Sequence, residues 1–161
     1  MASIFEPARL GGQVLRNRLM RSATWMATAD DGGYVTDAFA QYFAGKSYLN
    51  ALRPEPLPGE PGVFNVTFEP GCRNNWHVHH ATSGGGQILV CTAGEGWFQE
   101  WGADPVSLSE GSYVFIPAEV KHWHGAKADS WFSHISIEVP GTETSNEWLE
   151  EVSDEHYGRL A

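Results

Sequence analysis

The chain has 161 residues, of which 42% are hydrophobic, and ten basic against twenty acidic groups leave a net charge of −10. That length suits one domain able to bury a core without disulfide staples. The only cysteines, Cys72 and Cys91, lack Cys-x-x-Cys spacing, which excludes a thiolate zinc knuckle and a disulfide framework and fits a reducing cytoplasm. The acidic balance opposes binding to nucleic-acid backbones or anionic lipid, and with no signal-like or membrane-length apolar run a soluble cytoplasmic protein is expected.

The acidity is uneven: residues 1–50 carry five basic and four acidic groups, and residues 51–161 five and sixteen. The opening, Ile4 to Thr24, predicts a hairpin turning at Gly11-Gly12. Together with Asp31-Gly-Gly-Tyr-Val-Thr36 it resembles the start of the old yellow enzyme family of NADH:flavin oxidoreductases, in which such a hairpin precedes the first barrel strand and Ser22-Ala-Thr would lie near the flavin. An eight-fold β/α barrel needs at least about 200 residues, so no flavin is expected. Residues 1–36 then form a separate arm and 37–161 the main domain. The arm's Ile4, Phe5, Leu10, Val14 and Leu15 need cover, since a lone hairpin is marginal; a homodimer or higher homo-oligomer is one source of it.

Thr36 and Asp37 are expected to cap a short helix ending at Gly45, with Phe39, Tyr42 and Phe43 on one packing face. Ser47 to Leu52 reads as a strand, the proline-rich stretch Arg53 to Gly62 as a surface loop, and Val63 to Phe68 as a strand with Phe64, Val66 and Phe68 on one face.

Next comes Gly71-Cys-Arg-Asn-Asn-Trp-His77-Val-His79. Histidines at i and i+2 of a strand project to one face, and imidazole is a common ligand for transition metals. A third histidine, His122, follows the apolar strand Tyr113 to Ile116, and His124 shares its face. Between them lie strands at Gln87 to Gly94, Gly96 to Trp101 and Val106 to Leu108, with a turn at residues 102–104. The last long strand, Trp131 to Val139, puts His134, Ser136 and Glu138 on one face; Glu138 is expected to hold His134 and raise its pKa. His80 and His156 are expected to be structural, and Ser153 to cap a terminal helical turn.

Two separated segments resemble the motifs of the cupin family. In the first, five residues separate Gly71 from His77 and six separate Gln87 from Gly94, as in the family, while seven residues stand where three or four are usual and Gln87 replaces a glutamate. In the second, Gly111, Pro117 and His122 match; Glu119 replaces a glycine and Ala126 an asparagine. The resemblance implies an all-β double-stranded β-helix, a jelly-roll barrel, here with an N-terminal hairpin arm and a short helix.

Within that family, Phe68-Glu-Pro-Gly, Trp76-His-x-His, Gln87 to Trp97 and Lys121-His-Trp-His-Gly125 look like the small bacterial manganese cupins with hydroxynitrile lyase activity, over about residues 37–157. The likeness implies His77, His79, Gln87 and His122 as ligands of one divalent ion per chain, manganese first, with iron, nickel or zinc also suited to such donors. It implies an active-site role for His134, and His124 would orient substrate or water. The family's small residues at two pocket positions correspond to Phe64 and Val66, so a narrowed cavity is expected. The implied function is lyase-type turnover of a small molecule by a Lewis-acid metal and a histidine base. The alternatives are a dioxygen- or peroxide-activating metal cupin and a non-catalytic small-molecule-binding cupin.

Overall fold

The computed structural model describes residues 8–10, 13–15, 37–52 and 59–160. The elements in chain order are β1 (Ala8–Leu10), β2 (Gln13–Leu15), α1 (Asp37–Ala40), β3 (Phe43–Ala44), β4 (Ser47–Ala51), β5 (Val63–Phe68), β6 (Arg73–Asn74), β7 (His77–His80), β8 (Ser83–Gly84), β9 (Gln87–Glu100), β10 (Val106–Ser109), β11 (Tyr113–Ile116), β12 (His122–Ala126), β13 (Phe132–Glu138), β14 (Gly141–Thr142), β15 (Ser145–Trp148) and α2 (Asp154–Gly158). Strands β1 and β2 pair antiparallel, Ala8 opposite Leu15, as the hairpin expectation requires. The rest of the arm, including Ser22-Ala-Thr and Asp31 to Thr36 of the stretch that resembles the flavin enzymes, lies outside the described residues, as do residues 53–58 of the proline-rich loop.

The remaining strands build the expected all-β double-stranded β-helix, and β9 joins its two sheets. Expected as two pieces, β9 is one 14-residue strand. Its first half pairs with β11 and β13, and its second half with β10 and β12. The first sheet is thus β4, β5, β13, β9 and β11; the second holds β15, β7, β12, β9 and β10, with β6 and β3 added at one end. The change of partner needs a local kink. Opposite β13 the register slips between Ser133 and His134, leaving Thr92 as the extra residue of a bulge. Two residues on, Gly94 has φ of 70°, and a Cβ there would lie 1.7 Å from the Trp131 carbonyl oxygen, so only glycine fits.

Alternation fills the space between the sheets. Val66, Phe68, Leu89, Cys91, Phe98, Leu108, Ile116 and Phe132 form the main core. The outward face of the second sheet carries a second cluster, in which Trp76, Trp123 and Val152 are covered by Leu149, Tyr157 and Leu160 of the C-terminal segment. That segment is pinned by buried Arg73, which donates to the Val152 carbonyl (Nε 3.0 Å, Nη2 2.9 Å) and to Asp154, and by the Tyr157 hydroxyl on the Ala126 carbonyl (2.7 Å). The acidic tail therefore packs on its own chain. Ser153 caps α2 as expected, its Oγ accepting from the His156 amide at 3.1 Å.

The first helix is shorter than expected. It stops at Ala40, and Phe43 enters β3 opposite Asn74 because the barrel offers it an edge partner and a place against Phe68 (ring centroids 5.8 Å). Tyr42 stacks on Trp148 at 4.6 Å.

Candidate metal centre and cavity

The register of the second sheet assembles the histidines. His122 of β12 stands opposite His77 of β7, and His79 follows on the same face of β7. Ring centroids lie 4.1 Å apart for His77 and His122, 5.2 Å for His77 and His79, and 5.5 Å for His79 and His122. One nitrogen from each can be chosen so that all three fall within 4.8 Å of one another. All three rings are buried.

Two of these rings are fixed from behind. His77 Nδ1 lies 3.0 Å from the Asn75 carbonyl and His122 Nδ1 2.9 Å from the Val120 carbonyl. A carbonyl only accepts, so each Nδ1 carries the proton and each Nε2 presents a lone pair, the arrangement by which a ligating histidine is usually held. Burial lowers the pKa of all three histidines, His122 to about 4, and neighbouring imidazoles push His77 and His122 further in the same direction. Neutral imidazole is the ligating form.

Gln87, the first residue of β9, reaches the same cluster. Its Nε2 donates to Ser136 Oγ at 2.9 Å, which turns Oε1 toward His122 Nε2 at 3.3 Å. A carbonyl oxygen then faces an imidazole lone pair with no proton between them, and His79 Nε2 is buried without a hydrogen-bond partner among the described residues. Converging acceptors of this kind fit a cation. The donor set fits a divalent transition ion: three imidazoles and one neutral amide oxygen.

A cavity of about 250 Å³ opens beside the cluster. Phe39, Phe43, Phe64, Phe68 and Trp148 wall it, so the stripe expected only to pack also supplies the cavity with Phe39 and Phe43. Both Phe64 and Val66 line it, and its size suits a small organic molecule rather than a drug-sized one.

His134 lies fully buried on the far wall, on β13 opposite Val66. Neither of its ring nitrogens has a hydrogen-bond partner among the described residues. His124 contacts it edge to face, centroids 4.8 Å apart, and is itself held by Asn74, whose Oδ1 accepts the His124 amide at 2.9 Å and whose Nδ2 lies 3.1 Å from His124 Nε2.

The expected role of Glu138 is corrected. It shares the inward face of β13 but stands about 13 Å along the strand from His134, and its carboxylate accepts from Asn146 Nδ2 at 3.2 Å. The His134 pKa is accordingly lowered, to about 4, because burial dominates. Sequence reasoning misses Asn74 and Ser136 as the residues that hold His124 and Gln87. Ser136 falls on the expected face; Asn74 carries no signal, since its pairing with His124 spans 50 residues.

His80 and His156 take structural roles. His80 bridges Glu119 (2.7 Å) and Glu147 (2.8 Å), and His156 Nε2 donates to Gln99 Oε1 at 2.7 Å. Glu119 stands where the family motif has glycine, and its φ of 68° is the left-handed conformation that glycine would take there. Among the described residues no helix is long and apolar enough to cross a membrane.

The sequence profile of the cupin domain matches residues 64–137. Over 120 residues the chain is 36% identical to an (R)-mandelonitrile lyase of Granulicella tundricola, covering 74% of this chain and 88% of that one. A cupin-like protein of Thermotoga maritima superposes with a TM-score of 0.66 at 35% identity, over 74% of this chain and 88% of the other. A DMSP lyase of Ruegeria pomeroyi gives 0.55 at 22% identity, over 82% and 64%, a likeness of fold alone.

Proposed function

The chain belongs to the cupin family, and from that membership we propose a metal-dependent lyase that breaks or forms the carbon–carbon bond of a small cyanohydrin-type substrate. The observation that carries this reading is the pairing of two unlike groups across one apolar cavity. On one side His77, His79, His122 and Gln87 converge as acceptors. On the other, His134 is buried with both ring nitrogens unpartnered among the described residues. A buried polar group without a partner is rare unless a ligand or reaction supplies one. The relative from Granulicella tundricola, which acts on mandelonitrile by its name, supports the substrate class.

An ion held by the four ligands would act as a Lewis acid toward a substrate oxygen or nitrile. Manganese leads among the candidates and iron, nickel and zinc follow, since histidine and oxygen donors suit each. His134, neutral because burial lowers its pKa to about 4, accepts the hydroxyl proton as the carbon–carbon bond breaks. The bond's electron pair leaves with cyanide, which the proton then neutralises, and an aldehyde remains. His124, held by Asn74, fixes the plane against which His134 rests. Phe64, Phe68 and Trp148 bind the organic part and exclude water.

The test is elemental analysis of protein purified without added metal, followed by turnover of racemic mandelonitrile. About one transition ion per chain and metal-dependent cleavage are expected. His77→Ala should lose the ion on dialysis against a mild chelator. An intact, metal-loaded protein that releases no cyanide at any pH rejects the lyase reading and leaves oxygen activation by the same centre.

A further inference from the structure

Main-chain carbonyls back His77 and His122, but His79 meets side chains instead. Register puts Asn146 of β15 directly opposite His79 of β7, and Glu138 of β13 directly opposite Gln87 of β9. The two outer residues join across the rim of the cavity, where Asn146 Nδ2 donates to Glu138 Oε1 at 3.2 Å. A carboxylate only accepts, so the amide NH2 must face Glu138 and its carbonyl oxygen is left for His79. Burial lowers the His79 pKa, and chief among the effects opposing it are a hydrogen bond with the Asn146 side chain and then the charge of Glu138. Since Nε2 is the nitrogen without a partner, Nδ1 is the one that meets Asn146. Glu138 is itself placed. Its amide donates to the Gly62 carbonyl at 2.8 Å, and a Cβ at Gly62 would lie 2.5 Å from Oε2, so glycine leaves the carboxylate its room. Among the described residues that line the cavity it is the only acidic one.

We propose that Asn146 and Glu138 are positioning residues for the metal centre, a relay in which His79 Nδ1–H donates to Asn146 Oδ1 and Asn146 Nδ2–H donates to Glu138. The relay rests on the metal-dependent reading above and deepens it. It fixes the His79 tautomer, since the bond made by one ring nitrogen decides the state of the other, and so leaves the Nε2 lone pair for an ion. It also supplies charge. Three imidazoles and an amide oxygen are all neutral, so a divalent ion would keep both charges beside aromatic walls, where unpaired charge is costly. Glu138 offsets part of that cost from behind a ligand, for its carboxylate is not among the groups that converge. Asn146 is exposed at the rim, which places its effect at the lower end of the 10–100-fold range typical of such partners.

The test uses the full-length chain with and without metal. In the metal-free protein, NMR of the imidazole nitrogens at neutral pH should show His79 as the Nδ1–H tautomer. Asn146→Ala should lose that preference while circular dichroism stays unchanged. Manganese titration against a fluorescent chelator should then give about 10-fold weaker binding for Asn146→Ala. Glu138→Gln, which keeps an acceptor but not the charge, should lose less. Because Glu138 acts through Asn146, the double variant should bind manganese as Asn146→Ala alone does. An Nε2–H tautomer in the wild type, additive losses in the double variant, or wild-type affinity in both single variants overturns the relay. So does a Glu138→Gln variant altered only in its KM for mandelonitrile, which would assign the carboxylate to the substrate. A wild type that takes up no ion rejects the metal reading itself, and the relay with it.

Discussion

The rings of His124 and His134 meet edge to face, 4.8 Å between centroids and 85° between planes, yet only one of them is anchored. Asn74 holds His124, while His134 has no hydrogen-bond partner among the described residues. One histidine is thereby a fixed wall and the other is available to exchange a proton.

Replacing His134 should separate proton transfer from metal binding. His134→Ala is expected to keep its ion and lose about 10²-fold or more in cyanohydrin cleavage, the usual scale for general acid–base catalysis. Metal content and initial rate, measured on one preparation, check both halves.

The pH profile follows from burial. His134 is lowered from 6.5 to about 4, and the base form is the neutral one, so activity should hold across neutral pH. It should fall only as the pH drops toward that value. A rate of hydroxynitrile cleavage halved near pH 6.5, with the metal still bound, would show that His134 is not the base.

Ser136 should matter to the metal without touching it. It accepts from Gln87 Nε2 and so points Oε1 at the cluster; Ser136→Ala frees the amide to rotate. Loss of such support typically costs 10–100-fold in affinity. Metal titration against a fluorescent chelator reads the change, and Ser136→Thr, which keeps the hydroxyl, should recover most of it.

Metal-free protein should be acid-sensitive. In the unfolded chain the histidines take up protons near pH 6.5, whereas His122 and His134 do so only near 4 when folded. The unfolded state thus binds more protons between those values, and stability falls as pH drops through that window, by at most about 1.4 kcal/mol from each histidine for every pH unit crossed. Urea unfolding at about pH 7 and about pH 5 measures it; an unchanged midpoint counts against neutral burial of these rings.

Removing Arg73 should loosen the C-terminal cover. Arg73→Ala leaves the Val152 carbonyl without its two donor bonds, a loss of about 1–3 kcal/mol. At about 2–4 °C per kcal/mol for a chain of this size, melting should fall by roughly 2–12 °C, with tryptophan fluorescence reporting exposure of Trp76 and Trp123 on the same face.

Much of the centre is legible in the sequence because strand alternation is local. Two-residue spacing places His77 beside His79, and His122 beside His124, on single faces whatever the rest of the chain does. The motif spacings at Gly71 and Gly111 carry the barrel with them, and Ser153 announces its cap. Three things were decided only by the assembled barrel. Glu138 shares a face with His134 yet goes to Asn146, because strand rise separates them and β15, the edge strand of the other sheet, offers a nearer donor. Strand β9 runs unbroken past Gly94, because a bulge lets one chain serve two sheets. The His134 pKa moves down, since desolvation is a sum over side chains brought in from other strands, among them Phe68, His124 and Phe132. Sequence sets the direction in which each side chain points; which groups then surround it, and how much water they exclude, depends on contacts between residues far apart in the chain.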